Sequence, residues 1–385
     1  MVWCILGGMK TEIIRVDPSN IDPYKVRTAA EVVDGGGLAA FPTETVYGIA
    51  CRVDKSALDR LDEAKGRPAD KRYTLHIGGL ESRCDFFTPI PLRAGKLINK
   101  FWPGPLTVVF ELSEEDLTVQ KEHLNPEVYE ILYEGGTVGV RCPDNPVAIA
   151  LLNECKWPVV APSANKSGSK PALTAEKVVE QLDDSVDIVI APENESDVCG
   201  YQINSTVVKI SSLGVEILRE GAVKKEDIEE YSKIQILFVC TGNTCRSPMG
   251  EFFCKKYIAE KLNCDIDELE NKGYKVVSVG VYAAEGMPVS GEVVDICREK
   301  GIDASGHVSR SLTTQEIEKS DIIFAMTESH RHGVLEICPA AAEKSVLLNG
   351  DDDIPDPIGS GISVYRECAS VIEQAIRTRF SEMNL

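Results

Sequence analysis

The fold of the second half of the chain is decided by Ile234-Gln235-Ile236-Leu237-Phe238-Val239-Cys240-Thr241-Gly242-Asn243-Thr244-Cys245-Arg246-Ser247-Pro248. The apolar run that ends at Val239 predicts a buried strand. Pro248 suits the first turn of a helix, because its missing N–H would have no partner there. A loop between a strand and a helix directs successive backbone N–H groups, and the positive end of the helix dipole, at one point. The stretch therefore predicts a strand, a loop that binds an oxyanion, and a helix.

Outward from this stretch, short apolar runs alternate with helix-like segments on both sides. After it, strands are predicted at residues 276–279, 322–325 and 345–348, in the alternation typical of βαβ units around a parallel sheet. Before it, runs rich in β-branched or apolar residues occur at residues 38–41, 106–112, 137–141, 158–161 and 205–210, again between helical patterns. The whole chain is therefore predicted to be α/β.

The length of the chain predicts two domains. A chain of 385 residues is longer than one hydrophobic core usually organises. A polar stretch over residues 220–230 precedes the strand at Ile234 and marks the boundary. We expect a first domain over residues 10–222, a linker over residues 223–232 and a second domain over residues 233–385.

The charge balance and the cysteines limit the function classes. The formal net charge of −20 argues against a protein whose affinity comes mainly from neutralising nucleic-acid phosphates, but it leaves room for a local basic cleft. The 13 cysteines include no Cys-x-x-Cys pair, so neither a zinc site nor a disulfide framework is predicted. No segment reaches the roughly 20 apolar residues of a membrane helix, and the apolar start at residues 2–6 lacks the basic flank of a secretory signal. We expect a cytoplasmic protein with no membrane partner and no metal-ligand cluster of its own.

The second domain holds three residues suited to phosphoryl transfer. Cys240 lies where the loop dipoles favour a thiolate, which is the nucleophilic form of cysteine. Arg246, six residues later, can hold two phosphoryl oxygens through its planar guanidinium. Asp356, between two prolines, is the candidate general acid for the leaving group. An Asp-Pro pair alone is only a turn signal, so this role for Asp356 depends on the presence of the other two residues.

Over residues 233–385 the chain resembles the low-molecular-weight protein tyrosine phosphatase family, through the pattern Cys-x5-Arg-Ser-Pro. The resemblance implies a Rossmann-like parallel sheet, a phosphoprotein substrate and no cofactor. It implies a phosphocysteine on Cys240, Arg246 as phosphate clamp, and Asp356 as acid and then base. The residues of the implied phosphate loop and its supports are Thr241, Gly242, Asn243, Thr244, Cys245, Ser247 and His307. For His307, a purely structural role is as reasonable as a chemical one.

Two positions bear on the substrate of this domain. Thr244 and Ile358 stand where tyrosine-specific members carry a bulkier aliphatic residue and an aromatic residue, respectively. Both differences resemble the bacterial protein arginine phosphatase branch. A threonine beside a phosphoguanidinium leaves room for a planar cation and offers a hydroxyl. We therefore expect phosphoarginine hydrolysis, and the alternative is neutral change in an ordinary phosphotyrosine phosphatase.

In the first domain a helical pattern ends in two cations. The pattern begins near Ser56 and closes in Lys65-Gly66-Arg67-Pro68, where Gly66 is typical of a helix C-terminus. Lys65 and Arg67 are therefore expected on a turn, where they can receive a polyphosphate. Taken alone, such a pair is more often two exposed surface charges.

Further motifs, in the right order, resemble the YrdC-like threonylcarbamoyl-AMP synthases over residues 10–222. They are Phe41-Pro42-Thr43-Glu44-Thr45-Val46-Tyr47-Gly48, Lys65-Gly66-Arg67, Trp102-Pro103-Gly104-Pro105-Leu106-Thr107, Ser163-Ala164-Asn165 and Ser205-Thr206-Val207-Val208. The resemblance implies an open, twisted α/β sheet that joins L-threonine, bicarbonate and ATP into threonylcarbamoyl-adenylate and releases pyrophosphate. The implied partners are the downstream tRNA threonylcarbamoyl transferase machinery, with any contact to tRNA itself indirect.

This resemblance implies two sets of binding residues. One set would hold ATP, together with Mg²⁺: Lys65, Arg67, Lys71, Thr137, Ser163, Asn165 and Arg219. The other set would hold threonine: Thr45, His76, Arg141, Ala161 and Ser205. Because a threonine carbamate oxygen would attack the α-phosphorus, these residues would act by positioning the reactants and by neutralising charge.

The sequence departs from the synthase pattern in three places. Lys71-Arg72 replaces the usual Asn-Pro, Lys209 replaces an acidic residue, and Glu220 replaces a proline. The added cations either tighten triphosphate binding or are a surface change. Two interpretations of the chain therefore stay open: a fusion of two active enzymes, or a fusion in which the first domain is a nucleotide- or RNA-binding module without catalysis.

Overall fold

The structure forms two compact units. A computed structural model describes residues 11–68, 72–81, 86, 90–194, 199–211 and 214–382. The first unit runs to Ser211 and continues over Val215–Tyr231, and Ser232 begins the main body of the second unit. Among the described residues, no helix combines the length and the apolar character that a membrane crossing requires.

The first unit is built on one mixed sheet. Its described strands are β1 (Glu12–Val16), β2 (Ala39–Phe41), β3 (Gly48–Arg52), β4 (Thr74–His76), β5 (Leu106–Glu111), β6 (Thr137–Arg141), β7 (Val159–Val160), β8 (Ile188–Pro192), β9 (Thr206–Ser211) and β10 (Gly214–Arg219). Their order across the sheet is β1-β8-β2-β3-β7-β4-β6-β5-β9-β10. Because β1 and β10 form the two edges, the described sheet is open rather than closed into a barrel.

The strand order brings distant motifs together. β3 pairs antiparallel with β7, and Gly48 at the start of β3 forms a bridge with Ser163, just after β7. β4 pairs parallel with β6, so His76 lies opposite Arg141. The polar motifs that follow or end these strands therefore meet in the middle of the sheet.

Most of the described helices of the first unit add apolar side chains to the core that its strands begin. They are α1 (Pro23–Asp34), α2 (Lys55–Lys65), α3 (Leu92–Phe101), α4 (Glu114–His123), α5 (Pro126–Leu132), α6 (Pro146–Glu154), α7 (Ala175–Leu182) and α8 (Lys225–Tyr231). One buried cluster includes Leu61 of α2 and Leu97 of α3. A second cluster includes Val33 of α1 and Leu151 of α6. The side chain of Asp54 caps α2 by accepting from the backbone N–H of Ala57, and Gly66 ends this helix in the left-handed conformation, as predicted.

The second unit is a parallel sheet with helices. Its described strands are β11 (Ile234–Cys240), β12 (Tyr274–Gly280), β13 (Ile322–Ala325) and β14 (Ser345–Leu347), in the order β12-β11-β13-β14. Its described helices are α9 (Arg246–Leu262), α10 (Gly291–Glu299), α11 (Thr314–Lys319), α12 (Glu328–Ile337) and α13 (Ile362–Glu382). All strand pairs are parallel, and every residue of β11 is buried. Cys240 therefore lies at the C-terminal end of a central parallel strand, the usual place for a binding site in such sheets.

The α/β prediction is confirmed for both units, but several strands of the first unit escaped the sequence analysis. These are β1, β3, β4, β8 and β10. Gly48, Ala50 and Cys51 of β3 are small, and glycine and alanine are depleted in strands, so the sequence of β3 carries little β-propensity. It is a strand because β2 and β7 pair with it on either side.

Residues 223–232, treated as a linker in the sequence analysis, include the helix α8. Ile228 of α8 is 1% exposed and belongs to the same buried cluster as Leu97 of α3. Phe101 of α3 and Tyr231 of α8 meet edge to face, with their ring centroids 5.6 Å apart. This segment is therefore packed into the core of the first unit.

Ile228→Ala should lower the free energy of unfolding of the first unit by about 2–5 kcal/mol, because it removes a fully buried aliphatic side chain. Urea unfolding followed by tryptophan fluorescence reports on this unit, since all 3 tryptophans of the chain precede residue 232. The matched control is Leu218→Ala, at a side chain that is 50% exposed, and it should change stability by less than about 0.5 kcal/mol. An unchanged unfolding midpoint for Ile228→Ala would contradict the packing of α8.

Candidate active sites

The loop after β11 surrounds the sulfur of Cys240. Cys240 is the last residue of β11, and Arg246 is the first residue of α9. The backbone N–H of Asn243 donates to Cys240 Sγ at 3.3 Å, and Ser247 Oγ lies 3.0 Å from the same sulfur. The side chain of Cys240 is thus held at the centre of a loop whose dipoles favour an anion.

Asn243 fixes the shape of this loop. Its backbone is left-handed, with φ +54°, a conformation that asparagine adopts more readily than most residues. Its Nδ2 donates to Ser247 Oγ at 3.0 Å and to Ser278 Oγ at 2.9 Å, and its Oδ1 accepts from the backbone N–H of Arg310 at 2.9 Å. His307 Nε2 lies 3.1 Å from the carbonyl oxygen of Asn243. The structure therefore gives both Asn243 and His307 contacts that support the loop.

Three residues that the sequence analysis missed complete the support. Ser278 Oγ donates to Glu251 Oε2 at 2.6 Å, and Glu251, itself only 5% exposed, pairs with Lys255 at 2.5 Å. Gly280 ends β12, and a Cβ at this position would lie 2.4 Å from the carbonyl oxygen of Thr241. The sequence signal is that Glu251 directly precedes Phe252 and Phe253, because a carboxylate within an apolar run needs a partner when it is buried.

Arg246 faces the loop and is held by two contacts from the segment around residue 355. Its Nη1 donates to the carbonyl oxygen of Ile354 at 3.1 Å, and its Nη2 donates to the carboxylate of Asp356. Arg246 is 5% exposed, whereas the side chain of Asp356 is 40% exposed. The structure therefore brings the proposed clamp and the proposed acid together, and Arg246 also contacts Thr241, the residue after Cys240.

A histidine on α12, also missed, contacts the same loop. His330 is 4% exposed, and its Nε2 lies 2.8 Å from Thr241 Oγ1. Its Nδ1 lies 2.8 Å from Thr327 Oγ1. Thr241 Oγ1 in turn accepts from Arg246 Nη2 at 3.4 Å. Burial and the charge of Arg246 lower the pKa of His330 to about 4, so the ring is neutral near pH 7.

The two positions assigned to substrate choice lie at the loop and at its rim. Thr244 is half-buried, and its Oγ1 is 3.7 Å from Cys245 Sγ. Cys245 Sγ also lies 3.3 Å from the hydroxyl of Tyr365. Ile358 is 66% exposed, and its backbone N–H donates to Asp356 Oδ1 at 3.2 Å. An exposed aliphatic side chain therefore lies directly beside the proposed acid.

The first unit holds a cavity of about 360 Å³ in the middle of its sheet. Nine of the predicted binding residues line it: Lys65, Arg67, His76, Arg141, Ala161, Ser163, Asn165, Ser205 and Arg219. Other lining residues, among them Tyr47, Arg72, Thr107 and Asn204, were not selected from the sequence as site residues. The motifs quoted from the sequence therefore converge on one space, although they lie far apart along the chain.

The lining of this cavity is strongly cationic. Its charged side chains are Lys65, Arg67, Arg72, Arg141 and Arg219, and no described lining residue is acidic. Burial, together with the nearby charge of Arg141, lowers the pKa of Arg219. In a chain with a net charge of −20, this concentration of cations points to a ligand with several negative charges.

Lys65 links the end of α2 to the loop after β7. It is the last residue of the helix and is 5% exposed, which corrects the expectation that it lies on the turn; Arg67 does lie in the turn beyond it. Lys65 Nζ donates to the carbonyl oxygens of Ser163 and, at 2.7 Å, Asn165. Asn165 Oδ1 is buried and has no hydrogen-bond partner in the described part of the chain. This oxygen can accept a hydrogen bond from a ligand.

Arg141 is held in place by two neighbours. Its Nη2 donates to Thr45 Oγ1 at 2.7 Å and to the carboxylate of Glu44 at 2.7 Å. Its Nε is buried and finds no acceptor among the residues that the structure describes. Opposite Arg141, burial and this guanidinium lower the pKa of His76 to about 3, so His76 is neutral. A fixed arginine therefore lies beside an uncharged imidazole, an arrangement that can bind an anion.

Arg219 is fixed by Ser205. Arg219 Nη2 donates to the carbonyl oxygen of Ser205 at 2.9 Å and to its Oγ at 3.1 Å. Ser205 Oγ lies 2.9 Å from Thr107 Oγ1. The strands β5, β9 and β10 therefore contribute one connected polar wall.

Some predicted residues do not line the cavity. Thr45 is fully buried behind it and contacts Arg141, and Thr137 accepts a hydrogen bond from Arg72 at 2.7 Å. Lys71 lies outside the described residues. Lys209, one of the departures from the synthase pattern, forms an ion pair with Glu111 at 3.0 Å, and both side chains are partly accessible to solvent.

Two family models match the chain. One, described as telomere recombination and named for Sua5, YciO and YrdC, matches residues 31–221. The other, low molecular weight phosphotyrosine protein phosphatase, matches residues 235–384.

Individual relatives match each half. A threonylcarbamoyl-AMP synthase of Pyrococcus abyssi is 31% identical over 313 residues, which cover 76% of this chain and 87% of the relative. A protein-arginine-phosphatase of Geobacillus stearothermophilus is 39% identical over 150 residues, which cover 37% of this chain and 90% of the relative. A solved arginine phosphatase structure from the same organism has 35% identity, covers 39% of this chain and 96% of its own, and gives a TM-score of 0.33.

The ring of His330 should stay neutral well below the usual titration range of histidine, because burial and Arg246 disfavour its charged form. An NMR titration of the imidazole signals from about pH 8 to about pH 5 should leave the signals of His330 and His76 nearly unchanged. His330→Gln removes one of these two signals and assigns it. A His330 signal that titrates near its ordinary pKa would contradict the packing around Thr241.

Proposed function

Because the chain belongs to the threonylcarbamoyl-AMP synthase family in its first half and to the low-molecular-weight phosphatase family in its second, we propose that it is a bifunctional enzyme. The first domain makes threonylcarbamoyl-adenylate from L-threonine, bicarbonate and ATP. The second domain hydrolyses phosphoarginine in proteins. Each activity depends on its own set of residues.

One observation carries the proposal for the first domain: five cations and no described acidic residue line a cavity large enough for small molecules. ATP and the carboxylate of threonine are the negative groups that such a lining accommodates. Asn165 Oδ1 and Arg141 Nε, both buried without a described partner, supply one acceptor and one donor for these ligands. A non-catalytic nucleotide-binding module is the competing interpretation, and it predicts ATP binding without turnover.

In the proposed reaction, the residues position the reactants and neutralise charge. Arg141, held by Glu44, binds the carboxylate of threonine. The ring of His76 is neutral, so it places no positive charge beside the amino group of threonine. A carbamate oxygen of N-carboxylated threonine attacks the α-phosphorus, and the bond between that phosphorus and the β-bridging oxygen breaks. The electron pair leaves with pyrophosphate, whose charge Lys65 and Arg67 stabilise.

Mg²⁺ does not fit the described lining as a resident ion. Protein sites for Mg²⁺ use one or two carboxylates besides the phosphates of the substrate, and the described lining residues offer none. The proposed reaction therefore takes Mg²⁺ only as part of the ATP that binds. The product passes to the tRNA threonylcarbamoyl transferase machinery, and no step here needs direct contact with tRNA.

For the second domain, the arrangement of Cys240, Arg246 and Asp356 supports phosphoryl transfer. Cys240 Sγ attacks the phosphorus, while the loop N–H groups and Arg246 hold the phosphoryl oxygens. When the phosphoryl oxygens bind the guanidinium of Arg246 in place of Asp356, the released carboxylate of Asp356 takes up a proton from solvent. As the bond between phosphorus and nitrogen breaks, the Asp356 carboxylic acid donates this proton to the leaving nitrogen. Asp356 then accepts a proton from the water that hydrolyses the phosphocysteine. No cofactor takes part in this sequence.

The choice of phosphoarginine depends on Thr244 and Ile358. Thr244 is a small, half-buried hydroxyl residue at the loop, and Ile358 lacks the aromatic ring that would stack on a phenol. The protein-arginine-phosphatase that is 39% identical to this chain also supports this choice. The alternative is a preference for phosphotyrosine, which a comparison of the two kinds of phosphopeptide would reveal.

Pyrophosphate release from ATP should require both L-threonine and bicarbonate, and Arg141→Gln should lower kcat/KM for threonine by about 100-fold or more, since a charge-assisted contact is lost. Pyrophosphate is measured by a coupled assay. The matched control is Arg27→Gln, at an arginine of α1 whose side chain is 60% exposed, and its rate should equal that of the wild type. Binding of ATP without any pyrophosphate release would favour the non-catalytic module instead.

The wild-type protein should release phosphate from phosphoarginine peptides at least about tenfold faster than from phosphotyrosine peptides, and Thr244→Ile should reverse this preference by filling the space beside the phosphate. Thr378→Ile, the same change on an exposed position of α13, should leave the preference unchanged. Cys240→Ser should abolish turnover of both peptides but still bind phosphate, because Arg246 and the loop remain. A wild-type preference for phosphotyrosine would contradict the proposed substrate.

A further inference from the structure

Arg72 lies at the rim of the cavity in the first unit. It lines the cavity and is exposed, whereas Lys65 is buried and Arg67 is half-buried. Its Nη1 donates to Thr137 Oγ1 at 2.7 Å. Its backbone carbonyl accepts from Arg67 Nη2 at 2.6 Å. Both the main chain and the side chain of Arg72 are therefore hydrogen-bonded to neighbouring residues, Arg67 and Thr137.

The surroundings of Arg72 leave space for its guanidinium. Gly135 has φ +68°, and a Cβ at this glycine would lie 2.5 Å from Arg72 Nη2. The left-handed backbone of Gly135 also disfavours any larger residue. On the other side, Arg67 lies over the ring of Tyr73 at 4.7 Å, and the hydroxyl of Tyr73 donates to Asp62 at 2.7 Å. The two guanidinium groups are therefore kept in defined positions.

The burial of the three cations follows a gradient from the floor of the cavity to its rim. Lys65 contacts the Ser163–Asn165 loop deep in the cavity, Arg67 follows, and Arg72 is nearest to solvent. Three like charges along one wall repel one another unless an extended anion lies along them. A triphosphate has this shape and charge, and its α-phosphate must lie deep, because threonine reacts there. Its terminal phosphate must then lie toward the rim.

We propose that Arg72 binds the terminal phosphates of ATP and thereby selects a nucleoside triphosphate over nucleotides with fewer phosphates. This inference rests on the proposed synthase function and adds a residue to it. When the triphosphate binds, Arg72 exchanges the hydroxyl of Thr137 for phosphate oxygens, and its planar guanidinium can contact two of them. The same contacts stabilise the negative charge that develops on pyrophosphate as it leaves.

The test compares the affinities of the full-length protein for ATP, pyrophosphate and AMP by isothermal titration calorimetry. Arg72→Gln should weaken binding of ATP and of pyrophosphate by about tenfold or more, because a charge-assisted contact is lost. Binding of AMP should stay within about twofold, and the KM for threonine should not change. Arg72→Lys keeps the positive charge but loses the planar guanidinium, so its affinity for ATP should lie between those of the wild type and Arg72→Gln. Arg27→Gln is the matched control.

The outcomes separate this inference from the function on which it rests. If the wild-type protein binds neither ATP nor pyrophosphate, the proposed synthase fails. If the wild type binds ATP and Arg72→Gln binds it equally well, only the role of Arg72 fails. Equal losses for ATP and AMP would also overturn the inference, because they would mean that Arg72 merely shapes the cavity. Tryptophan fluorescence checks that the first unit of each variant is folded. If Arg72→Gln does not fold, Arg72→Lys tests the same inference.

Discussion

Groups that converge on an anion repel one another while the anion is absent, so both sites depend on neighbours that hold such groups in place. In the first unit, Glu44 and Thr45 fix Arg141, and Ser205 fixes Arg219. In the second unit, the carbonyl oxygen of Ile354 and the carboxylate of Asp356 hold Arg246. The partners of Arg141 and Arg246 lie about 100 residues away along the chain, so these contacts form only when distant segments come together. Both sites are thereby preorganised for charge before a substrate arrives.

The carboxylates that hold the arginines of the two sites differ in how easily a substrate can displace them. Glu44 is largely buried, and its second oxygen accepts from the backbone N–H of Asp144 at 3.1 Å, so it stays with Arg141. Asp356 belongs to a proline-flanked loop, and its side chain is 40% exposed, so it can release Arg246 and act as an acid. Glu44 is therefore a positioning residue, whereas Asp356 is suited to a chemical step.

The sequence predicted the α/β class, the parallel sheet of the second unit and most residues that line the first cavity, because these depend on local patterns and continuous motifs. It did not predict His330, Ser278 or Gly280, whose roles come from contacts with a loop far away in the chain. It also placed Lys65 on a turn, although this residue is buried at the end of α2. Local patterns identify chemical groups, but the contacts that orient these groups form only when distant strands pair.

The packing of α8 affects how the two halves can be produced as separate polypeptides. A fragment cut at residue 222 would lose Ile228 and Tyr231, and the apolar surface of α3 that they cover would become solvent-accessible. Such surfaces promote aggregation during expression. The same helix at the start of a phosphatase fragment would carry an unburied isoleucine. An expression boundary after Tyr231 avoids both problems, because the next strand begins at Ile234 and needs nothing from α8 for its own pairing.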